Sequence, residues 1–436
     1  MCYNKLEITI NRSFDDTMKT TAVRLYGADD MRIESFDLPE IKENEILMKV
    51  ISDSVCASTY KAVKQGSAHK RVPNDIAENP VVIGHEMCGE IVKVGEALAD
   101  KWEIGQRVVI QPALKLETNY DPGYSYRYIG GNMTYAVVPE VVLERGCLLP
   151  YEADNFYSGS LVEPIGCCVR GFKGLYHTDY TTYTRTDGAK RGGKLAILGG
   201  AGPMGIASID LAIGYAGCSQ VVVTDIDGER LAHAEKVCPP EAAKKKGCDL
   251  VYVNTAKLDD PVKALLELSD GGFDDVIIMV PVAGLMSMAE EICGFDGCIN
   301  FFAGPPVHDL KGSLNLYRVH YDGIHLVGTA GSIPEDTVDT IELIEKGTIN
   351  PAVMVSHVLG MNAVPEVINA MKTPSGVKKI CYNHIDIPLT AVSDIPELGK
   401  SDPMWAEIAK IIERNGGLWC AEAEKYLLEN APKLEK

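Results

Sequence analysis

LAILGGAGPMG, residues 195–205, decides the fold of this 436-residue chain. An apolar strand runs into glycines at 200, 202 and 205, and the helical pattern IASIDLAIG follows at once. Glycine at the first position permits a tight turn, and at the second it lets a pyrophosphate reach the backbone. The third lets helix and strand pack closely. The helix N-terminus then offers amide donors and the positive end of its dipole to phosphate. Three glycines alone are weak support. Here they lie between a strand and a helix, and the next strand, VVVTD, ends in Asp225, 20 residues beyond Gly205. An acid at an offset of about 20 binds the adenosine ribose hydroxyls of a dinucleotide. The competing reading, a tight strand–helix turn with an unrelated acidic cap, leaves that agreement unexplained. An acid there also repels a ribose phosphate, which favours NAD(H) over NADP(H).

Working outward, KLAILGG, QVVVTDID, DLVYVN, DVIIMVP, GCINFFAG and IHLVGTAG are short apolar runs separated mostly by helical stretches. Buried parallel strands alternating with helices have this pattern. The expected fold is α/β, with a doubly wound parallel sheet of Rossmann type over residues 172–331. Upstream, from TTAVRLYG after Met18 to about Pro150, runs such as EILMKVIS, EIVKVG, QRVVIQ and MTYAVVP are broken by Gly, Pro and Asp. That is the spacing of an antiparallel β domain.

Downstream of Gly331, Ser332 followed three residues later by Glu335 reads as a capped helix, EDTVDTIELIEKG, ending at Gly347. MWAEIAKIIERN and LWCAEAEKYLLEN predict two further helices in a C-terminal extension. Residues 1–17 are polar and unpatterned, an N-terminal extension. The expected organisation is that extension, a catalytic domain from 18–171 and 332–436, and a cofactor domain from 172–331. Two domains suit the length, at ~100–200 residues each.

A formal net charge of −19, with no long basic run, argues against nucleic acid and anionic membrane partners. No stretch approaches the ~18 apolar residues of a membrane span, and the N-terminus lacks a signal-peptide core. Thirteen cysteines, scattered singly or as the adjacent pair Cys167-Cys168, fit reduced thiols rather than a disulfide scaffold. The expected address is cytoplasmic.

Three polar clusters in the first domain call for explanation: Cys56 in DSVCASTYK, His85-Glu86 in IGHEMCGE and Glu163 in GSLVEPIGCC. Thiolate, imidazole and carboxylate together suit zinc, which in catalytic sites takes about three protein ligands and leaves one position open. Taken singly, each has an ordinary reading: a lone cysteine is most often a buried thiol, and a lone histidine a satisfied core or surface group.

Motifs in combination shift the weighting. Gly84, His85, Glu86, Gly89 and Gly95, then Cys56 with Ser58, Glu163-Pro164, and Gly130, Gly131, Tyr135, Val138 and Pro139 all stand in one order along the chain. With the glycine loop and the late segment SHVLGMN…GVKKICY, they resemble the zinc-dependent medium-chain dehydrogenases from Met18 to about Asn383. The likeness is to the sorbitol-dehydrogenase branch; MKTTAVRLYG, GHE with CGEIV, FDD and INFFAGP are similar to the L-sorbose-1-phosphate reductases.

The resemblance implies a mostly β, GroES-like catalytic domain and one catalytic zinc on Cys56, His85 and one or both of Glu86 and Glu163. It also implies cofactor contacts from Gly200, Gly202, Pro203, Met204, Gly205, Asp225 and Arg230. Zinc acts as a Lewis acid on the substrate oxygen while hydride passes to or from the nicotinamide. Ser58, with Glu163, is expected to carry the hydroxyl proton.

Two departures stand out. Residues 106–132 contain no cysteine, so the structural zinc of many relatives is not expected. The distal histidine of the proton relay is replaced by Lys61. Lys61, Lys64, His69, Lys70 and Arg71 form a basic cluster near Cys56, and Lys61 is the candidate for a substrate phosphate. The expected substrate is a sugar or sugar phosphate, and the expected assembly a homodimer or homotetramer paired through cofactor-domain edge strands. The alternatives are a zinc-free quinone or enone reductase of the same superfamily, and a non-catalytic binding protein on this fold.

Overall fold

The strand Lys194–Leu198 is buried beyond its first residue and pairs in parallel on both sides. A strand so placed must be apolar on both faces, hence the unbroken Leu-Ala-Ile-Leu. In this computed structural model, which describes residues 18–305, 308–371 and 377–435, it is central to a six-stranded sheet. The spatial order is 249–254, 220–225, 194–198, 273–278, 293–301, 325–328, with every pairing parallel. The chain thus winds one way from the central strand and then the other, and the crevice for a ligand opens where the order reverses, at the carboxyl ends. The glycine loop lies there. At Gly205 a Cβ would stand 2.0 Å from the Gly200 carbonyl oxygen, so the helix Pro203–Leu211 can sit this close only without one. At Gly202 a Cβ would meet nothing within 4 Å; that face is open toward the crevice.

The second large sheet runs Thr390–Ala391, Val355–Gly360, Lys378–Tyr382, Ile46–Ser54, Met87–Val94, Arg107–Ile110, Leu148–Pro150, with Tyr135–Val138 paired beside Ile46–Ser54. Its neighbours are antiparallel except 355–360 with 378–382, which run parallel. The late strands therefore complete a sheet begun three hundred residues earlier.

Helix Val162–Lys173 bridges the two halves. Its Arg170 and Lys173 both bond Asp336, a carboxylate with no exposure, on helix Pro334–Glu345. The expected Ser332 cap falls one residue early: Ile333 holds the cap position, and its N–H donates to Asp336 rather than Glu335. Ser332 is buried and accepts from Gln111 Nε2 at 2.6 Å, so its hydroxyl ties two distant segments of the chain together instead of serving the helix end.

The C-terminal helices are Pro403–Arg414, capped by Asp402, and Ala421–Asn430. Trp405, Ile408, Ile411, Trp419 and Leu427 sink into the core that also holds Tyr382 and Phe172. The N-terminal extension 1–17 lies outside the described residues. Among the described residues no helix is long and apolar enough to cross a membrane, and every cysteine is a free thiol.

Candidate active site

A cleft of about 1040 Å³ lies between the two sheets' domains. One wall is the glycine loop with Gly202, Pro203, Met204, Gly205 and Arg230; the other carries Cys56, Ser58, His85, Glu86 and Glu163.

Cys56 ends the strand Ile46–Ser54 region and precedes helix Ala57–Gln65, so its thiol points from a turn rather than from within a helix. His85 and Glu86 follow Gly84, which has φ +88° and abuts Asn132. A side chain there would strike the Asp53 carboxylate at 2.6 Å, so the chain can cross Asp53 only as glycine. Gly131 lets the neighbouring loop do the same. Asp53 accepts from the Glu86 N–H at 2.9 Å and from Asn132 Nδ2 at 3.0 Å, and fixes the backbone from which both site residues project.

The ligand atoms of Cys56, His85 and Glu86 lie within 4.8 Å of one another. Burial holds the His85 imidazole neutral, its pKa lowered to about 4. One ring nitrogen, Nδ1, meets Thr59 Oγ1 at 3.1 Å and the other, Nε2, meets the Tyr124 hydroxyl at 3.2 Å. Burial, then the Glu86 carboxylate, push the Cys56 thiol up to about 12. Glu163, in the first turn of its helix, is raised to about 7 by burial and by Glu86; Cys167 Sγ donates to it at 3.5 Å.

Sequence reasoning missed the residue that faces Glu86. Lys378 Nζ donates to Glu86 Oε1 at 2.6 Å, and Ser54 Oγ donates to the same carboxylate. Burial opposes a charge on Lys378, yet Glu86, Cys56 and Glu163 raise its pKa. Lys378 pairs Glu86, His85 is neutral, and burial pushes the Cys56 thiol, Glu163 and Asp53 up toward their protonated forms, so the charges of the site close as it stands. A divalent ion bound here would displace the thiol proton, since a metal takes the thiolate. The donor set suits zinc in particular.

The basic cluster divides. Lys61, Lys70 and Arg71 line the cleft, joined by Lys115, which the sequence had not singled out. Lys64 instead pairs with Asp29, and Arg71 is shared with Asp121 at 2.8 Å while lying over the Tyr124 ring. His69 stacks on Tyr124 and is held neutral, near 4, by burial and the adjacent cations. Asp225 ends the strand 220–225 outside the cleft lining; it accepts from the Ala201 N–H at 3.2 Å, tying the glycine loop to the strand end, while Arg230, on the cofactor wall, reaches Asp227 at 3.5 Å.

A dinucleotide loop facing a half-buried thiol and a buried imidazole and carboxylate across one cleft defines a class: the NAD(P)-dependent alcohol dehydrogenases of two-domain build. Comparison with known proteins places the chain within it. Residues 42–145 match the alcohol dehydrogenase GroES-like domain and residues 203–346 the zinc-binding dehydrogenase domain. The chain belongs to the zinc-binding dehydrogenase family, which are oxidoreductases.

Mannitol-1-phosphate 5-dehydrogenase of Aliivibrio fischeri is 46% identical over 94% of this chain and 98% of its own. L-sorbose 1-phosphate reductase of Klebsiella pneumoniae is 40% identical over 94% and 98%. Among solved structures, 2R,3R-butanediol dehydrogenase from Bacillus subtilis covers 84% of this chain and 99% of its own with a TM-score of 0.68; at 21% identity this speaks to fold alone.

Proposed function

We propose that this chain passes hydride between NAD(H) and a phosphorylated polyol or keto-sugar, of the L-sorbose 1-phosphate to D-glucitol 6-phosphate type, at a single zinc site. The observation that carries the proposal is the convergence of Cys56, His85 and Glu86 ligand atoms within 4.8 Å, in the cleft that the glycine loop also lines. These three residues would hold the zinc, with Glu163 beside them. Zinc, when bound, polarises a carbonyl oxygen or acidifies a hydroxyl.

The rest is done by the chain. The 203–211 helix and the glycine loop hold the pyrophosphate, and Asp225 at the strand end takes the ribose hydroxyls. Ser58 receives the substrate's hydroxyl proton at the cleft wall. Tyr124 stays a phenol, its pKa pushed well up by burial; its hydroxyl meets His85 Nε2 and Thr59 meets Nδ1, so a metal held by His85 would take one ring nitrogen from one of these two partners. Lys61, Lys70 and Lys115 give the cleft of an acidic protein local positive charge, which suits a substrate phosphate. The names of the two relatives above support that substrate class.

The strand His325–Gly328 is one of the two edges of the six-stranded sheet, and Leu316, Tyr317, Tyr321 and Leu326 beside it are 50–74% exposed. Pairing of two copies along this edge would form a homodimer.

The deciding experiment is an NADH- and NADPH-oxidation assay over ketose 1-phosphates, free ketoses and polyol phosphates, on zinc-loaded protein. Turnover of a phosphorylated ketose with NADH is expected. Turnover of enones or quinones alone, without metal, would overturn the reading; tighter binding of NADPH than NADH would overturn the cofactor preference.

A further inference from the structure

The last helix carries a buried acid that the chemistry above does not use. Glu424, on Ala421–Asn430, is 2% exposed, yet its carboxylate is fully engaged. It accepts from the Phe156 N–H at 2.6 Å, the Tyr157 N–H at 2.7 Å and the Tyr382 hydroxyl at 2.9 Å. Tyr382 in turn accepts from Trp419 Nε1 at 2.9 Å. A hydrogen bond in a buried site counts for more than the same bond in water, and leaving any of these three donors unmet is costly.

What these bonds join is not arbitrary. Tyr382 closes the strand Lys378–Tyr382, whose opposite end bears Lys378, the partner of Glu86. Residues four apart on a strand share a face, so fixing Tyr382 fixes the side from which Lys378 projects. Phe156 and Tyr157 open the short helix Tyr157–Ser160, which feeds directly into Val162–Lys173 and so sets the position of Glu163. The circuit closes through Ser52, which faces Tyr382 in the sheet register, donates to the Phe156 carbonyl at 2.9 Å and meets Ser160 Oγ at 2.5 Å.

We infer that the C-terminal extension is part of the catalytic scaffold, and that Glu424 is a positioning residue that holds the Lys378 strand and the Glu163 helix in fixed relation. The inference rests on the zinc reading of the Cys56–His85–Glu86 cluster. A carboxylate is required because two backbone donors and a hydroxyl converge on it; an amide of the same shape would turn an NH₂ group toward one of them.

Cobalt(II) serves as a spectroscopic probe of the site in the full-length protein. Wild type is expected to bind cobalt and show thiolate-to-metal absorption. Glu424→Gln is expected to weaken cobalt binding and lower kcat about tenfold or more, the range for groups that orient metal ligands from behind. It should also shift the cobalt spectrum and leave KM for NADH unchanged.

Leu427→Ala, which thins the core contact of the same helix without touching the carboxylate, is the control for simple destabilisation. Assayed well below both melting temperatures, it should keep wild-type cobalt affinity and spectrum. If Glu424→Gln lowers Tm but binds cobalt normally, or if Leu427→Ala matches its losses, the extension is only a clasp and the inference falls. Should Glu424→Gln fail to fold, Tyr382→Phe removes the hydroxyl that joins Glu424 to Trp419, leaves the Phe156 and Tyr157 bonds in place, and carries the same test. Absence of cobalt binding by wild type would sink the zinc reading itself, and the inference with it.

Discussion

Lys378 Nζ lies 2.6 Å from Glu86 Oε1, and the two side chains are 5% and 1% exposed. Removing one partner of a buried pair leaves a charge without water or counter-ion, at a cost of about 3–5 kcal/mol. Lys378→Met should therefore lower unfolding free energy by that order in metal-free protein, measured by urea denaturation with chelator present. Added zinc supplies a replacement counter-charge for Glu86, so the deficit should narrow on loading. Equal stability of the two proteins without metal would show that the pair does not carry this charge.

Cys56→Ala and His85→Ala should each abolish turnover and lower zinc content, measured by elemental analysis. Both residues sit on the cleft wall away from the glycine loop, so NADH binding by fluorescence titration should be unchanged. Near-normal turnover of Cys56→Ala would remove zinc from the mechanism.

The cofactor half was legible because its signals are local. A buried parallel strand must be continuously apolar, and Leu195–Leu198, Val221–Val223 and Val276–Ile278 are. The hairpin of Tyr176–Asp179 with Thr184–Asp187 escaped notice, since the second strand is exposed throughout and has no apolar alternation to betray it.

The candidate metal cluster was legible only through resemblance: Cys56, His85 and Glu86 converge through sheet register, and a bridging helix brings Glu163 to the same cleft outside that group of three, neither by spacing. Lys378 did leave a signal. Two lysines open the strand Lys378–Tyr382, and with alternating faces they cannot both avoid the interior. Finding its partner needed the third dimension.

One zinc per subunit is expected on metal analysis. Where many relatives place four cysteines, the loop after Gln111 is organised by Asp121, which accepts from the Leu114 N–H at 2.9 Å and pairs with Arg71. The Asp121 N–H is itself satisfied by Ser125 Oγ at 2.9 Å. Two equivalents of tightly bound zinc would contradict this.

Lys61→Ala should raise KM for a phosphorylated ketose about tenfold while changing KM for the unphosphorylated sugar little, since a charge-assisted contact to an anion contributes about 1.5–3 kcal/mol. Parallel changes for both sugars would remove Lys61 from phosphate recognition and leave Lys70 and Lys115 as the cleft's candidates.

His384 gives the fold a measurable pH dependence. Its Nε2–H donates to the Val50 carbonyl at 3.1 Å, its ring meets Tyr135 edge-on, and burial followed by Lys49 lowers its pKa to about 4. The unfolded chain takes up this proton near its ordinary value of about 6.5, so between the two values the unfolded state holds more protons. Stability from His384 is therefore complete above about 6.5 and lost as pH falls toward 4, by at most about 3 kcal/mol. Glu424, raised to about 7 by burial, works in the opposite sense, since the native state holds its proton first. The comparison that isolates His384 is wild type against His384→Gln, because Glu424 is common to both. In urea unfolding of metal-free protein, the stability gap between them should shift steadily against wild type as pH falls from 6.5 to 4. Parallel curves across that window would mean that His384 takes up its proton in the folded protein as readily as in the unfolded chain.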